Sequence, residues 1–276
     1  MLYFTVIIIV IALLCYPFFE ATLISVDERT LNFPKLEKDL KNMRIVYVSD
    51  IHQGFFFDDK RTENLISQIN SLDADIVILG GDYATNPEDA VSFFYNTPAI
   101  RATLGVFAVL GDMDRKHFES DLSSIKTAIK QYGATPLVND VAYVKRGSSY
   151  VYIAGVDDIT NGFADIQSVA NRVTSDDFVI FVGHSPELIP EILTIKDQNG
   201  HNHWYDLALF GHTHGGQVKI GNWTPLYHSN ILETSNYISG LKEINRTYTL
   251  ISNGVGTSTL PIRLGAIPQI HLLVAK

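Results

Sequence analysis

Arg44-Ile45-Val46-Tyr47-Val48-Ser49-Asp50-Ile51-His52 decides how the rest of the chain reads: a short apolar run that stops on a carboxylate and an imidazole. The pattern recurs. Asp75–Leu79 runs into Gly80-Gly81-Asp82, Val106–Leu110 into Gly111-Asp112, Tyr150–Ala154 into Gly155-Val156-Asp157-Asp158, Phe178–Val182 into Gly183-His184, and Leu207–Phe210 into Gly211-His212. Runs this short, rich in Val and Ile and bounded by Gly, have the length of buried strands rather than helices. Between them Arg61–Ser71, Asp89–Leu104 and Arg115–Tyr132 carry apolar residues at helical spacing, with Pro98 interrupting the second and Gly133 stopping the third. Gln217–Ile220, Thr247–Ile251 and Gln269–Val274 read as further strands. The alternation predicts an α/β domain over residues 44–276, made of two packed mixed β-sheets flanked by helices.

In such sheets ligands bind beyond the carboxyl ends of the strands, where the loops converge. Here those ends carry Asp50, His52, Asp82, Asp112, His184, His212 and His214. Mixed carboxylate and imidazole donors suit Mn²⁺, Fe or Zn²⁺, with Mg²⁺ a further candidate, and need no thiolate. Seven donors are too many for one tetrahedral ion and suit two divalent ions that share a bridging carboxylate. Taken together and in this order, the motifs favour a metal site over a set of separate structural residues.

With these motifs the sequence resembles the calcineurin-like metallophosphoesterase family. Ser49-Asp50-Ile51-His52, Gly80-Gly81-Asp82, Gly183-His184-Ser185-Pro186 and Gly211-His212-Thr213-His214-Gly215-Gly216-Gln217 resemble its blocks. Gly254-Val255-Gly256-Thr257-Ser258, Leu260-Pro261-Ile262-Arg263-Leu264-Gly265 and Pro268-Gln269-Ile270 are similar to its YkuE/YaeI-like branch. The resemblance implies one ion on Asp50, His52, Asp82 and His214, and a second on Asp82, Asp112, His184 and His212. It also implies in-line attack on phosphorus by a hydroxide held between the ions, without a protein nucleophile.

The chain departs from the family at Gly111-Asp112-Met113-Asp114, where the family carries Gly-Asn-His followed by an acid. Three ligand carboxylates with two divalent ions sum to +1, where an amide at 112 would leave +2. The lower charge predicts a preference for monoanionic diesters over dianionic monoesters. Met113 stands where the family histidine is thought to protonate the leaving group or bind phosphate, and a thioether does neither. Asp114 thereby loses its usual partner. Either the substrate has a good leaving group, as in a pyrophosphate bond, or Arg115 or His117 supplies the missing charge or proton. The same change admits a catalytically silent metal-binding membrane protein as an alternative. Retention of all seven ligand positions favours an active enzyme.

The 276 residues include 46% hydrophobic and 18% charged, enough for a sizeable core, with a net charge of −9 that argues against nucleic acid as a partner. Cys15 is the only cysteine, so no intrachain disulfide forms. Residues 1–19 carry no charge and one polar side chain apart from tyrosine, Thr5, a length suited to crossing a bilayer once. The missing basic flank and the missing small residues before Glu20 favour an uncleaved anchor over a signal peptide. Residues 20–43, with Pro34, read as a connector. Arg29, Lys35 and Lys38 follow the anchor and place the catalytic domain on the cytoplasmic side.

Phe55-Phe56-Phe57, just after His52, is expected near the mouth of the site as an apolar wall or a bilayer contact. With the anchor it points to a lipid-linked phosphoester. The UDP-2,3-diacylglucosamine pyrophosphatases within the branch supply the leading specific candidate, and a broad-specificity phosphodiesterase is the alternative. The loop Asp197–His203, with His201 and His203, is a candidate cap over the site.

Overall fold

The computed structural model of the protein describes residues 2–118, 121–221 and 237–276. Helix α1 (Leu2–Glu20) and strand β1 (Ser25–Leu31) come first. They lead into β2 (Arg44–Val48), α2 (Asp59–Asn70), β3 (Ile76–Leu79), α3 (Ala90–Asn96), β4 (Gly105–Ala108), α4 (Asp112–His117), α5 (Ser123–Gln131) and β5 (Ala134–Pro136). The second half holds β6 (Asp140–Arg146), β7 (Ser149–Gly155), α6 (Ile166–Ala170), β8 (Phe178–Val182), α7 (Ile189–Ile192) and β9 (Leu207–Phe210), then β10 (Gly240–Ile244), β11 (Thr247–Ile251) and β12 (Gln269–Ala275).

Two six-stranded sheets result, in the orders β1-β12-β2-β3-β4-β5 and β10-β11-β9-β8-β7-β6. Strands β2 to β5 are mutually parallel, as are β7, β8, β9 and β11, while antiparallel strands border each parallel block. The central strands are apolar on both faces because both faces are covered. Ile45, Tyr47, Ile76, Ile78 and Phe107 of one sheet meet Ile153, Ile180, Val182, Leu207 and Leu209 of the other in a buried layer. The outer face of the first sheet packs on Leu65, Ile66 and Ile69 of α2, Phe93 and Phe94 of α3, and Ile125 and Ile129 of α5. The outer face of the second packs on Ile166 and Val169 of α6 and Ile189 and Ile192 of α7. The fold is therefore the expected sandwich of two mixed sheets between helices.

Three local expectations change. The 20–43 connector is not a free link, because Ser25–Leu31 pairs in parallel with β12 as an edge strand. Its Asp27 lies 3.2 Å from His271 Nδ1 on β12, whose Nε2 lies 3.1 Å from Ser252 Oγ, so the strand is tied to the interior by polar contacts. The helix expected over Arg115–Tyr132 is two helices, with Asp121 accepting from Ser123 N at 2.8 Å where the second begins. The strand expected at Gln217–Ile220 is not formed as a ladder: isolated bridges replace it, one of them between Val218 and Leu264, and Gln217 turns the chain at φ 54°. By contrast Thr97, extended ahead of Pro98, ends α3 as the restriction on residues before proline requires.

Ile78 is fully buried between the sheets. Ile78→Ala should lower stability by about 2–5 kcal/mol, read as a lower urea midpoint at an unchanged slope. A loss below about 1 kcal/mol would contradict the two-sheet core as described.

Candidate metal centre

The backbone pairing of β2 with β3 continues past the strand ends: Asp50 N donates to Gly81 O at 2.9 Å and His52 N to Asp82 O at 3.0 Å. This zipper sets the Asp50-Ile51-His52 turn beside Asp82. Asp50, His52, Asp82, His212 and His214 all have positive φ, between 48° and 68°. Non-glycine residues rarely adopt this region, and each such residue costs on the order of 1–3 kcal/mol unless its surroundings fix it. Strain at five neighbouring Asp and His residues is the mark of a functional site. Close approach also demands glycine: a Cβ on Gly111 would strike the Asp82 carboxylate, and one on Gly211 the Asp50 carboxylate.

All seven expected residues converge. Asp82 Oδ2 lies 3.4 Å from His52 Nε2 and 3.5 Å from His184 Nε2, between the two halves of the cluster. On one side His214 Nε2 is 3.2 Å from His52 Nε2 and 3.7 Å from Asp50 Oδ1. On the other, Asp112 Oδ1 is 2.9 Å from His212 Nδ1 and 3.2 Å from His184 Nε2. Donor atoms of Asp50, His52 and His214 lie within 4.8 Å of one another, as do those of Asp112, His184 and His212 and those of Asp50, Asp82 and His184.

The donor chemistry fits divalent cations. His184 places Nδ1 2.7 Å from Gly80 O, which fixes the tautomer that leaves Nε2 bare. That Nε2 is buried with no hydrogen-bond partner among the described residues, and it faces the carboxylates of Asp50, Asp82 and Asp112. Burial works against a charged His184, but Asp82, Asp112 and Asp50 outweigh it and raise the pKa well above the ordinary value. Burial likewise opposes a charged His212, which Asp112 reverses. At Asp112 burial disfavours ionisation, and His184 and His212 overcome it and hold the carboxyl far below its usual range. The carboxylates thus draw in positive charge, which protons on imidazole or metal cations can supply. His214 goes the other way: burial first, with His52 and Arg263 also contributing, keeps it neutral as a metal ligand must be.

A supporting layer holds these residues. Asp114 accepts from Asp82 N at 2.7 Å, Gly111 N at 2.9 Å and Tyr83 N at 3.0 Å, clamping the β3 and β4 ends together. Burial, then the Asp82 charge, pushes its carboxyl pKa up. Asp114 is therefore a scaffold for Asp82 rather than a group facing the cleft. Arg115 pairs with Asp157 at 2.9 Å and donates to Phe118 O, so its guanidinium is turned from the cleft. The side chain of His117 lies outside the described residues. Sequence reading quoted Arg263 within a motif but gave it no role; it donates to Ala266 O at 2.8 Å, Asn253 O at 2.7 Å, Gly256 O and His214 O at 3.3 Å, and sits 3.3 Å from His214 Nδ1. Its signal was a lone charge inside the apolar stretch Leu260–Leu264.

A cleft of about 210 Å³ opens over the cluster, and Met113, Thr213, Gly216, Gln217, Ser258 and Thr259 line it beside five of the seven Asp and His. Gln217 is fully engaged, donating to Ser258 O at 2.8 Å and Leu260 O at 3.0 Å and accepting from Ser258 N at 2.8 Å. Neither Phe55-Phe56-Phe57 nor the loop Asp197–His203 lines this cleft. Phe57 is buried in the α2 core, and His201 lies 3.0 Å from Ser175 Oγ.

Residues 43–216 match the family described as Calcineurin-like phosphoesterase. The uncharacterized protein YpbG of Bacillus subtilis is 28% identical, over 89% of this chain and 86% of its own. The uncharacterized metallophosphoesterase YkuE of the same organism is 25% identical, over 94% and 88%. A Danio rerio protein named transmembrane protein with metallophosphoesterase domain is 24% identical, over 88% of this chain and 55% of its own. A matched domain that spans most of the chain, with a strand-end cluster able to hold divalent cations, makes this protein a member of the calcineurin-like phosphoesterase family and a metal-dependent phosphohydrolase.

Proposed function

We propose that the protein is a membrane-anchored hydrolase of phosphodiester or pyrophosphate bonds in a lipid-linked substrate. The observation that carries the two-metal reading is the position of Asp82 Oδ2, nearly equidistant from His52 and His184 at 3.4 and 3.5 Å. Asp50, His52 and His214 would hold one cation, Asp112, His184 and His212 the other, with Asp82 shared. When bound, such cations supply Lewis acidity towards phosphoryl oxygens and lower the pKa of water, and Mn²⁺ is our first choice.

The chain's own groups then set what can be cleaved. Among the described residues outside the seven Asp and His, the protic side chains lining the cleft are Thr213, Gln217, Ser258 and Thr259. Thr213 donates to Ile238 O at 2.6 Å and Gln217 is engaged with the 258–260 loop, which leaves the two hydroxyls of Ser258 and Thr259. These can hydrogen-bond phosphate but are too weakly acidic to protonate a poor leaving group. Met113, at the cleft wall, adds no proton. A leaving group that departs as a phosphate anion needs none, which favours a pyrophosphate bond of the kind in UDP-2,3-diacylglucosamine.

The lipid part of the proposal is supported by α1, whose Tyr3–Glu20 window has a mean hydropathy of 2.1 and is only 6% buried. An apolar helix that the domain does not cover has the length and composition of a bilayer span. The Danio rerio relative's name carries the same word, transmembrane. We place the domain on the cytoplasmic side, on the charge of Arg29, Lys35 and Lys38.

With Mn²⁺, the full-length protein should hydrolyse a nucleotide-diphospho lipid and bis(p-nitrophenyl) phosphate faster than p-nitrophenyl phosphate. His214→Ala should lower every rate by about 10³-fold or more, the scale on which catalytic groups act. Wild-type rates equal to those of His214→Ala would establish the silent reading instead. Asp112→Asn should raise monoesterase relative to diesterase activity, since the site gains one positive charge. An unchanged ratio would remove charge as the basis of that preference.

A further inference from the structure

The foot of α1 is built into the same loop that walls the metal cleft. Arg263 N donates to Pro17 O at 2.9 Å, Ala266 N to Glu20 Oε1 at 3.0 Å, and Arg61 Nη2 to Ala21 O at 2.9 Å. Glu20, the one charged residue of the helix, is only 2% exposed and is used in this joint. The helix direction is therefore fixed relative to the 254–266 loop.

Around the joint lies an apolar rim. Phe18, Phe19 and Leu23 from the helix end, Phe55 (91% exposed) and Phe56 (51%) from the loop after His52, and Leu260 are all open to solvent. Large apolar side chains clustered on a surface mark a contact with another apolar phase. With α1 in a bilayer, its foot brings this rim to the membrane boundary. Arg61, whose guanidinium sits 4.5 Å from the Phe57 ring centre, offers a cation at the same level.

Within the rim a cavity of about 230 Å³ is walled by Phe18, Ala21, Phe56, Arg61, Gly256 and Thr257, among others. The next two residues of the loop, Ser258 and Thr259, wall the metal cleft. Gly256 also packs on the backbone of Ile51, between the ligands Asp50 and His52, where a side chain would not fit. Two residues of chain span at most about 7 Å, so the cavity and the cleft are neighbours.

We propose that this cavity is the acyl-chain subsite of the enzyme. A chain of a bilayer lipid lies between Phe18, Phe56 and Thr257, and its phosphoester reaches over Ser258 and Thr259 into the cleft. The proposal rests on the lipid-linked reading above and deepens it. It assigns the rim a role in selecting substrate, beyond attachment.

The test uses the full-length protein in nanodiscs with Mn²⁺. It compares CDP-diacylglycerol as the lipid probe with bis(p-nitrophenyl) phosphate as the head-only probe. Phe56→Asp should lower the ratio of kcat/KM for the lipid to that for the soluble diester about tenfold, the scale of a lost apolar pocket contact, and Phe56→Leu should restore it. An unchanged ratio, or a wild-type enzyme that turns over the soluble diester but not the lipid, would overturn the subsite and leave the hydrolase standing. If the wild type turns over neither probe, the parent reading fails, and Phe56→Trp decides the cavity by itself. Its fluorescence should be quenched more strongly by phosphatidylcholine brominated along the acyl chain than by the unbrominated lipid. Equal fluorescence in the two lipids would overturn the subsite.

Discussion

Three buried or half-buried carboxylates, Asp50, Asp82 and Asp112, share one small volume at the carboxyl ends of β2, β3 and β4, and much of the remaining structure answers that concentration of charge. Like charges removed from water are unfavourable unless cations or strong donors meet them. The second sheet delivers the answer from across the sandwich. His184 at the end of β8 and His212 and His214 beyond β9 point their ring nitrogens at the carboxylates of the first sheet. The site therefore exists only where the two sheets face each other. The buried layer of Ile45, Ile78, Ile180 and Leu209 is what sets the distance between its halves.

Two buried charged groups beside the cluster, Asp114 and Arg263, hold backbone. Asp114 gathers three amide N–H groups, and Arg263 gathers the carbonyls of four residues, Asn253, Gly256, Ala266 and His214. Such bonds stabilise the positive-φ turns that strain alone would open. Arg263 also joins two functions. Through its backbone it holds Pro17 at the foot of the apolar helix, and through its guanidinium it lies beside His214. The apolar helix and the 254–266 loop are thus one structural unit rather than a domain on a tether.

What could be read from the sequence follows from which signals are local. β2, β8 and β9 were legible to the residue because their apolar runs end sharply at Ser or Gly, and β11 because its five residues are all β-branched, aromatic or leucine. The seven residues that converge were legible as a cluster because Asp and His at successive strand ends have few structural uses together. Edge strands were not: Ser25-Val26-Asp27-Glu28-Arg29-Thr30-Leu31 is mostly polar, and only pairing with β12 makes it a strand. The role of Glu20 was not legible because its partner Ala266 lies 246 residues away, and that of Arg263 because its bonds go to backbone carbonyls that carry no side-chain signal. Phe55-Phe56-Phe57 was legible as a cluster but not in direction: it faces the foot of α1 and the α2 core instead of the metal cleft.

The account stands on two cations sharing Asp82. Metal stoichiometry tests it most directly, by elemental analysis of protein refilled with Mn²⁺ after chelation and freed of excess metal. The account predicts two ions per wild-type chain, one in His52→Ala and one in His184→Ala, with Asp82→Ala retaining fewer than two. A wild-type chain that holds a single ion, or single variants that each lose both or neither, would contradict it.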